Sequence, residues 1–230
     1  MDLVEKNILD IKKRIRNACE RVGKNPEDVY LIAVSKNFSA EVVQRAVDQG
    51  IKILGENRVQ EAQAKQPLIE GDVKWHLIGH LQRNKVRHAV KLFSMIQSVD
   101  SERLAKEISR RAGQIEKNID VLIQINIGQE ESKYGINPDE VEEFIRKISQ
   151  LQNLNIKGLM AIAPYKENPE DVRPYFRQMY DIFENIQKLS IDNIEMKYLS
   201  MGMSNDFEVA IEEGANMIRV GTSVFGARNY

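Results

Sequence analysis

Residues 120–162 read DVLIQINIGQEESKYGINPDEVEEFIRKISQLQNLNIKGLMAI. The two ends of this stretch, Asp120–Ile127 and Ile156–Ile162, are rich in β-branched residues and predict strands. Between them, Asn137 and Pro138 followed by two acids form a helix-start signal, and apolar residues then recur at helical spacing through 151. A strand, a helix and a second strand in this order predict a parallel sheet.

The same alternation runs along the chain of 230 residues. Eight β-rich runs are predicted strands: Val29–Ser35, Ile51–Gly55, Val73–Ile78, Ser94–Val99, Asp120–Ile127, Ile156–Ile162, Met196–Ser200 and Met217–Val220. Eight such units predict an α/β fold, a (β/α)8 TIM-like barrel, whose usual length is about 250 residues. The alternative is a doubly wound open sheet, but the chain lacks both the G-x-G-x-x-G and the G-x-x-x-x-G-K-[ST] phosphate motifs.

An additional helix is predicted ahead of the first strand, over residues 3–22. Its apolar positions recur every three or four residues along one face: Val4, Ile8, Ile11, Ile15, Ala18 and Val22. We read Cys19, in the same helix, as a structural thiol. We therefore expect residues 1–230 to form a single barrel domain with an extra N-terminal helix.

Composition narrows the class of protein further. Lys and Arg number 33 against 34 Asp and Glu, so the net charge of -1 argues against a binder of nucleic-acid backbones. A single cysteine excludes an internal disulfide and indicates a reducing compartment. The N-terminus is no secretory signal, and the longest apolar run, Val29–Val34, is far short of the roughly 20 residues that span a bilayer. We expect a cytoplasmic monomer without membrane contact.

Lys36 follows the first predicted strand, at the end where barrel enzymes gather their chemistry. Side chains alternate between the two faces of a strand, so Ile32, Val34 and Lys36 share one face. If that face points inward, Lys36 stands at the barrel mouth, where lost hydration favours the neutral amine. Such a lysine is a candidate for Schiff-base chemistry with a carbonyl compound. The alternative is a solvated lysine at the start of a loop.

Arg219 is the matching candidate on the eighth strand. Met217, Arg219 and Gly221 share a face, while the aliphatic residues between them suit the outer helix layer. Barrel closure would bring Arg219 next to Lys36. Two neighbouring cations repel each other, so they predict that an anion binds there. The following Gly221-Thr222-Ser223 offers backbone N–H groups and hydroxyls at the start of a short last helix, which is the usual phosphate site of these barrels.

Other polar residues at strand ends leave alternatives open. Ser200 and Ser204 bracket a glycine after strand seven, and either Ser204 or Asn205 would suit the cap of the next helix. Asn57, after strand two, would reach a bound ligand or cap the helix that starts near Val59. His76 and His80 stand about 13 Å apart on a strand, beyond the reach of one ion, so we predict no metal site.

Five segments together resemble the pyridoxal phosphate homeostasis protein family. They are Ala33-Val34-Ser35-Lys36, Gly55-Glu56-Asn57, the run from His76 to Lys85, the run from Ser200 to Asp206, and Arg219-Val220-Gly221-Thr222. The resemblance covers nearly the whole chain. It implies a barrel similar to the N-terminal domain of alanine racemase and the cofactor pyridoxal 5'-phosphate (PLP).

The same resemblance implies a role for each site residue. Lys36 holds PLP as a Schiff base, and Arg219 faces the pyridine nitrogen. Five more residues complete the cofactor site: Ser200, Gly221 and Thr222 around the phosphate, and Asn57 and Ser204 along the wall. The family pattern assigns no role to His80 or to the Gln82–Lys85 loop.

Two functions from different classes then compete. The first is a carrier that stores or delivers PLP without committed catalysis, with PLP-dependent apo-enzymes as its partners. The second is an enzyme, either a PLP-dependent racemase-like protein or an aldolase that uses the Lys36 amine. We favour the carrier because the chain ends at Tyr230 without an evident second domain, and because an arginine at the pyridine nitrogen weakens PLP as an electron sink. A third hypothesis is a phosphate-binding barrel whose substrate is unknown.

Overall fold

Eight parallel strands close into a barrel in the order of the chain. The computed structural model describes residues 2–189 and 191–226, so both ends of the predicted domain 1–230 lie outside the described residues. The strands are β1 (Tyr30–Val34), β2 (Ile53–Glu56), β3 (Lys74–Leu77), β4 (Met95–Val99), β5 (Ile119–Ile125), β6 (Leu154–Ala161), β7 (Ile194–Ser200) and β8 (Met217–Val220). Strand β1 pairs with β2 on one side and with β8 on the other. The predicted (β/α)8 fold is confirmed.

Helices alternate with these strands and cover the barrel. They are α1 (Leu3–Arg21), α2 (Ala40–Asp48), α3 (Val59–Lys65), α4 (Val86–Leu92), α5 (Glu102–Gly113), α6 (Val141–Ile148), α7 (Arg173–Lys188), α8 (Phe207–Glu212) and α9 (Thr222–Phe225). The additional helix α1 packs against α2, α8 and α9. Within residues 2–189 and 191–226, no helix is both long and apolar enough to cross a membrane.

Helix α1 forms where its apolar stripe predicts it. Asp2 caps its start and exchanges hydrogen bonds with Glu5 in a capping box, which satisfies backbone N–H groups of the first turn. The predicted stripe is buried from Val4 to Ala18, whereas Val22 lies beyond the helix and is exposed. Cys19 is fully buried, and burial raises the pKa of its thiol, as expected for an unreactive structural cysteine.

The predicted helix start at Asn137 is confirmed in a modified form, and the segment at Asn168 has the same arrangement. Each asparagine oxygen accepts the N–H of the residue two positions later, and a short 3-10 turn follows. The α-helices proper begin only after these turns, at Val141 and Arg173. Proline at the first position of each turn costs no hydrogen bond, because that N–H has no partner within the helix.

Alternating strand residues separate two apolar layers. A small cluster fills the barrel interior: Ile32, Ile53, Met95, Leu122, Met160 and Met217. Residues one position along the same strands, such as Ala33 and Leu54, join the larger cluster between barrel and helices. The interior position of Ile32 and Met217 confirms the inward faces predicted for β1 and β8. It also sets which polar residues reach the carboxyl end of the barrel from inside.

Candidate functional site

Arg219 lies inside the barrel as a buried cation. Only 4% of the residue is exposed, and its guanidinium donates hydrogen bonds to Ser200 Oγ at 2.7 Å and to the Ala161 carbonyl at 2.8 Å. Burial lowers the pKa of Arg219 to about 10, so the group remains protonated at neutral pH. Throughout the described ranges no carboxylate lies within 4 Å of the guanidinium, and the buried Asp206 carboxylate attracts it from a longer distance. A buried charge of this kind is costly unless an acceptor compensates it.

A chain of hydrogen bonds continues from Arg219 across the barrel. Ser200 Oγ donates to Gln97 Oε1 at 2.8 Å, and the Gln97 amide nitrogen lies 3.0 Å from His76 Nδ1 and 3.2 Å from Met217 Sδ. Each group in this series of hydrogen bonds donates to the next, from Arg219 through Ser200 and Gln97 to His76. His76 Nδ1 must therefore accept a hydrogen bond, which requires a neutral imidazole. Gln97 was missed by sequence reasoning, although a glutamine inside an otherwise buried strand is itself a signal.

The neutral state of His76 predicts a pH dependence of stability. Burial lowers the pKa of His76 to about 3, against 6.5 in the unfolded chain, so only the unfolded state binds this proton between those values. The free energy of unfolding therefore decreases as pH falls through this window. Between pH 7 and pH 5 we expect wild type to lose about 2 kcal/mol more than His76→Gln, measured by urea unfolding. Parallel pH profiles of the two proteins would contradict a buried neutral His76.

Lys36 lies in the turn that follows β1, at the same end of the barrel as Arg219. Ile32 of β1 pairs with Arg219 of β8, so these two strands run side by side toward the mouth of the barrel. Gly221 lies beside Val34, where a Cβ would stand in ordinary van der Waals contact, 3.4 Å from the Val34 side chain and carbonyl. Lys36 is partly buried and makes contacts, which disfavours the solvated-loop alternative.

Hydroxyl groups from the loops after β7 and β8 meet at the mouth. Thr222 Oγ1 donates to Ser204 Oγ at 3.1 Å, and the backbone N–H of Ser223 lies 3.4 Å from the same oxygen. Gly221 precedes helix α9, as predicted for the short last helix. Ser200 lies apart from this group, because its hydroxyl is engaged by Arg219 and Gln97.

The capping alternatives for the polar loop residues are wrong. Helix α8 begins after Asp206, whose carboxylate accepts the Met203 N–H at 2.6 Å, so neither Ser204 nor Asn205 is its cap. Asn205 instead donates to the Lys166 carbonyl. The hydroxyl of Ser204 is left to the cluster at the mouth.

Asn57 is not a helix cap either. Helix α3 begins at Val59 after Arg58, without any side-chain cap. Asn57 instead lines a cavity on the β2–β3 side of the mouth, together with His80 and Lys85. Gly79 packs directly on the Asn57 backbone, where any Cβ would collide with it.

His80 and His76 do not share a ligand. The His80 ring lies 3.1 Å from Asp100 Oδ2 and stacks on Tyr134 with ring centroids 3.7 Å apart, whereas His76 lies inside the barrel. Among residues 2–189 and 191–226, no group of three metal-ligating side chains is arranged to hold an ion. The pairing of His80 with Asp100 is a further feature that sequence reasoning missed.

Comparison with known proteins identifies the relatives of this barrel. Residues 7–229 match the family model described as alanine racemase, N-terminal domain. A pyridoxal phosphate homeostasis protein from Aquifex aeolicus is 45% identical over 223 residues, which cover 96% of each chain. The chain belongs to the pyridoxal phosphate homeostasis protein family. A member of that family from Escherichia coli K12 is 38% identical and is covered over 99% of its length.

Solved structures agree with this family. PipY of Synechococcus elongatus, in a structure with PLP bound, has a TM-score of 0.85 and 36% identity, with 97% of this chain and 100% of that chain covered. A protein of unknown function from Bifidobacterium adolescentis has a TM-score of 0.92 and 31% identity, with 97% of each chain covered. Alanine racemase from Clostridium difficile, at 16% identity and a TM-score of 0.70, shares the fold over 58% of its chain.

Proposed function

We propose that this chain is a PLP-binding protein of PLP homeostasis, which holds the cofactor as a Schiff base on Lys36. The observation that carries the proposal is the buried Arg219, a cation that no carboxylate of the described part of the chain approaches within 4 Å, on the strand that pairs with the one leading into Lys36. The PLP-bound structure of PipY, a relative at 36% identity, supports the choice of ligand. Residues 1–230 act in this proposal as one binding domain.

The donor set at the mouth fits the chemistry of PLP. A bound PLP supplies an aldehyde for a primary amine, a basic ring nitrogen and a phosphate. Lys36 offers the amine, Arg219 offers a charged donor that suits a ring nitrogen, and the Ser204–Thr222 hydroxyls with the Ser223 N–H suit a phosphate.

Each site residue then has a distinct task. Lys36 provides the nucleophilic amine, and Arg219 orients the ring by donating to its nitrogen. Ser200 accepts from Arg219 and so holds the guanidinium in place, in addition to the phosphate contact that the family resemblance implies. Gly221, Thr222 and Ser204 bind the phosphate. Asn57 lines a separate groove with His80 and Lys85, so only the family resemblance supports its place along the wall of the PLP site.

The proposed role is a carrier and not an enzyme. Arg219 remains protonated at neutral pH, so it donates to the ring nitrogen and leaves that nitrogen without a proton of its own. An unprotonated ring withdraws electrons weakly, which disfavours chemistry at the α-carbon of an amino acid. The competing proposal is a racemase-like enzyme or a Lys36 aldolase, and the barrel shared with alanine racemase is what supports it.

One experiment separates the two roles. Apo-protein is mixed with PLP until the visible Schiff-base band is complete, and L-amino acids are then added in deuterated water. For a carrier we expect the band and no sustained exchange of the α-proton by NMR, because a PLP ring whose nitrogen carries no proton is a weak electron sink. Exchange at several turnovers per second that Lys36→Ala abolishes would establish the enzyme.

The proposal extends to partners and location. The carrier acts as a cytoplasmic monomer and passes PLP to PLP-dependent apo-enzymes. Tyr165 and Met203, exposed in the loops that follow β6 and β7, offer apolar surface at this end of the barrel for contact with such an enzyme.

A further inference from the structure

Lys65, at the end of helix α3, forms hydrogen bonds to the turn that carries Lys36. Its ammonium group is buried and donates to the Ser35 carbonyl at 2.7 Å and to Glu56 Oε1 at 2.7 Å. Ser35 Oγ donates to the same Glu56 oxygen at 2.7 Å. The peptide bond that enters Lys36 is thus fixed through its carbonyl oxygen by a charged group on α3.

Glu61, one turn earlier on α3, holds the other side of Lys36. Its carboxylate accepts the backbone N–H of Asn37 at 2.9 Å and lies 3.6 Å from the Lys65 ammonium. Asn37 has a φ of 65°, a left-handed conformation that non-glycine residues adopt only at a cost in free energy. The two peptide groups that flank Lys36 are therefore both bound by α3 side chains, and the strained residue after it is held by one of them.

Burying these charged groups costs more free energy than a purely structural contact would justify. Glu56 is fully buried, its second oxygen has no hydrogen-bond partner among the described residues, and burial raises the pKa of its carboxyl. Buried ion pairs of this kind add little net stability, and apolar replacements are often neutral or stabilising. A role in orientation accounts for the cost, because charged hydrogen bonds fix a backbone more rigidly than apolar packing does.

We propose that Lys65, Glu56 and Glu61 form a clamp that positions Lys36, so that its amine meets the PLP aldehyde in one fixed orientation. The inference rests on the proposed function, since it assumes that Lys36 is the amine that reacts. The three members are positioning residues. Lys65 and Glu61 bind the backbone on either side of Lys36, and Glu56, at the end of β2, accepts from the Lys65 ammonium and the Ser35 hydroxyl.

The test compares Lys65→Met with Lys117→Met. Lys117 is a matched control because it also donates to two backbone carbonyls, those of Val90 and Phe93, both at 2.9 Å, but before β5 at the opposite end of the barrel. The rate of Schiff-base formation with PLP is followed by stopped-flow absorbance. We expect Lys65→Met to slow it by about 10- to 100-fold, as for a displaced reacting group, and Lys117→Met to leave it unchanged. A wild-type rate in folded Lys65→Met would overturn the clamp.

A second pair of variants covers the case in which Lys65→Met does not fold. Glu61→Gln keeps an oxygen that accepts the Asn37 N–H, whereas Glu61→Ala removes it. We expect Glu61→Ala to slow Schiff-base formation and to raise hydrogen–deuterium exchange at Asn37 in the apo-protein, while Glu61→Gln stays near wild type. Equal rates and equal exchange in both variants would overturn the clamp. If wild type forms no Schiff base at Lys36, the proposed function fails independently of these comparisons.

Discussion

A Lys36→Ala variant is expected to lose the visible Schiff-base absorption band completely when PLP is added. The reason is chemical, since the band requires an imine between the PLP aldehyde and a lysine amine. In our proposal that amine is Lys36, in the turn that follows β1, the strand paired with the one that carries Arg219. The noncovalent contacts of Arg219 and of the hydroxyl cluster remain, so residual binding is expected at about tenfold or more lower affinity. Absorption titration and equilibrium ultrafiltration measure the two effects separately.

Lys85→Ala is the matched control for this prediction. Lys85 is also a partly buried lysine at the mouth, where it lines the cavity beside Asn57 and His80. We expect this variant to keep the band and the affinity of wild type. A full band in Lys36→Ala, or loss of the band in Lys85→Ala alone, would move the Schiff base to another residue.

Replacing Arg219 by alanine is expected to affect both PLP binding and folding. Charge-assisted hydrogen bonds contribute about 1.5–3 kcal/mol, so loss of the donor to the ring nitrogen should weaken PLP binding by roughly tenfold or more. The same change leaves the Ser200 hydroxyl and the Ala161 carbonyl without their buried donor. We therefore expect a lower free energy of unfolding in urea even without PLP.

Thr222→Ala separates the two consequences of the Arg219 change. Thr222 is exposed, and its hydroxyl contacts Ser204 at the mouth instead of the barrel interior. We expect Thr222→Ala to weaken binding of PLP by a similar factor, to leave binding of phosphate-free pyridoxal unchanged, and to have little effect on unfolding. Wild-type PLP affinity in Arg219→Ala would exclude Arg219 from the site.

The fold and the inward faces of β1 and β8 were predictable because both follow from local periodicity. Strand residues alternate with period two, so the shared face of Met217 and Arg219 can be read from spacing alone. Lys36 lies in the turn after β1, where this alternation has ended. Strand pairing in chain order then brings β8 beside β1. The predicted strand ends were less accurate. Strand β2 extends to Glu56 instead of Gly55, and β5 ends at Ile125 instead of Ile127.

The contacts that orient the site were not predictable in the same way. Gln97 reaches Ser200 across the barrel, and Lys65 reaches Ser35 from a different helix, so neither pair has a characteristic spacing. Such contacts depend on the rotation of a helix on the sheet and on the stagger between strands. The wrong capping alternatives for Ser204 have a related cause, because a helix start was inferred from residue type while the hydroxyl had a long-range partner in Thr222.

The central claim is that Lys36 carries PLP, and reductive trapping tests it most directly. Wild-type protein is loaded with PLP, reduced with borohydride, digested and mapped by mass spectrometry. The account predicts one phosphopyridoxyl group per chain, on the peptide that contains Lys36. A stable modification on a different lysine, or none at full PLP occupancy, would contradict it.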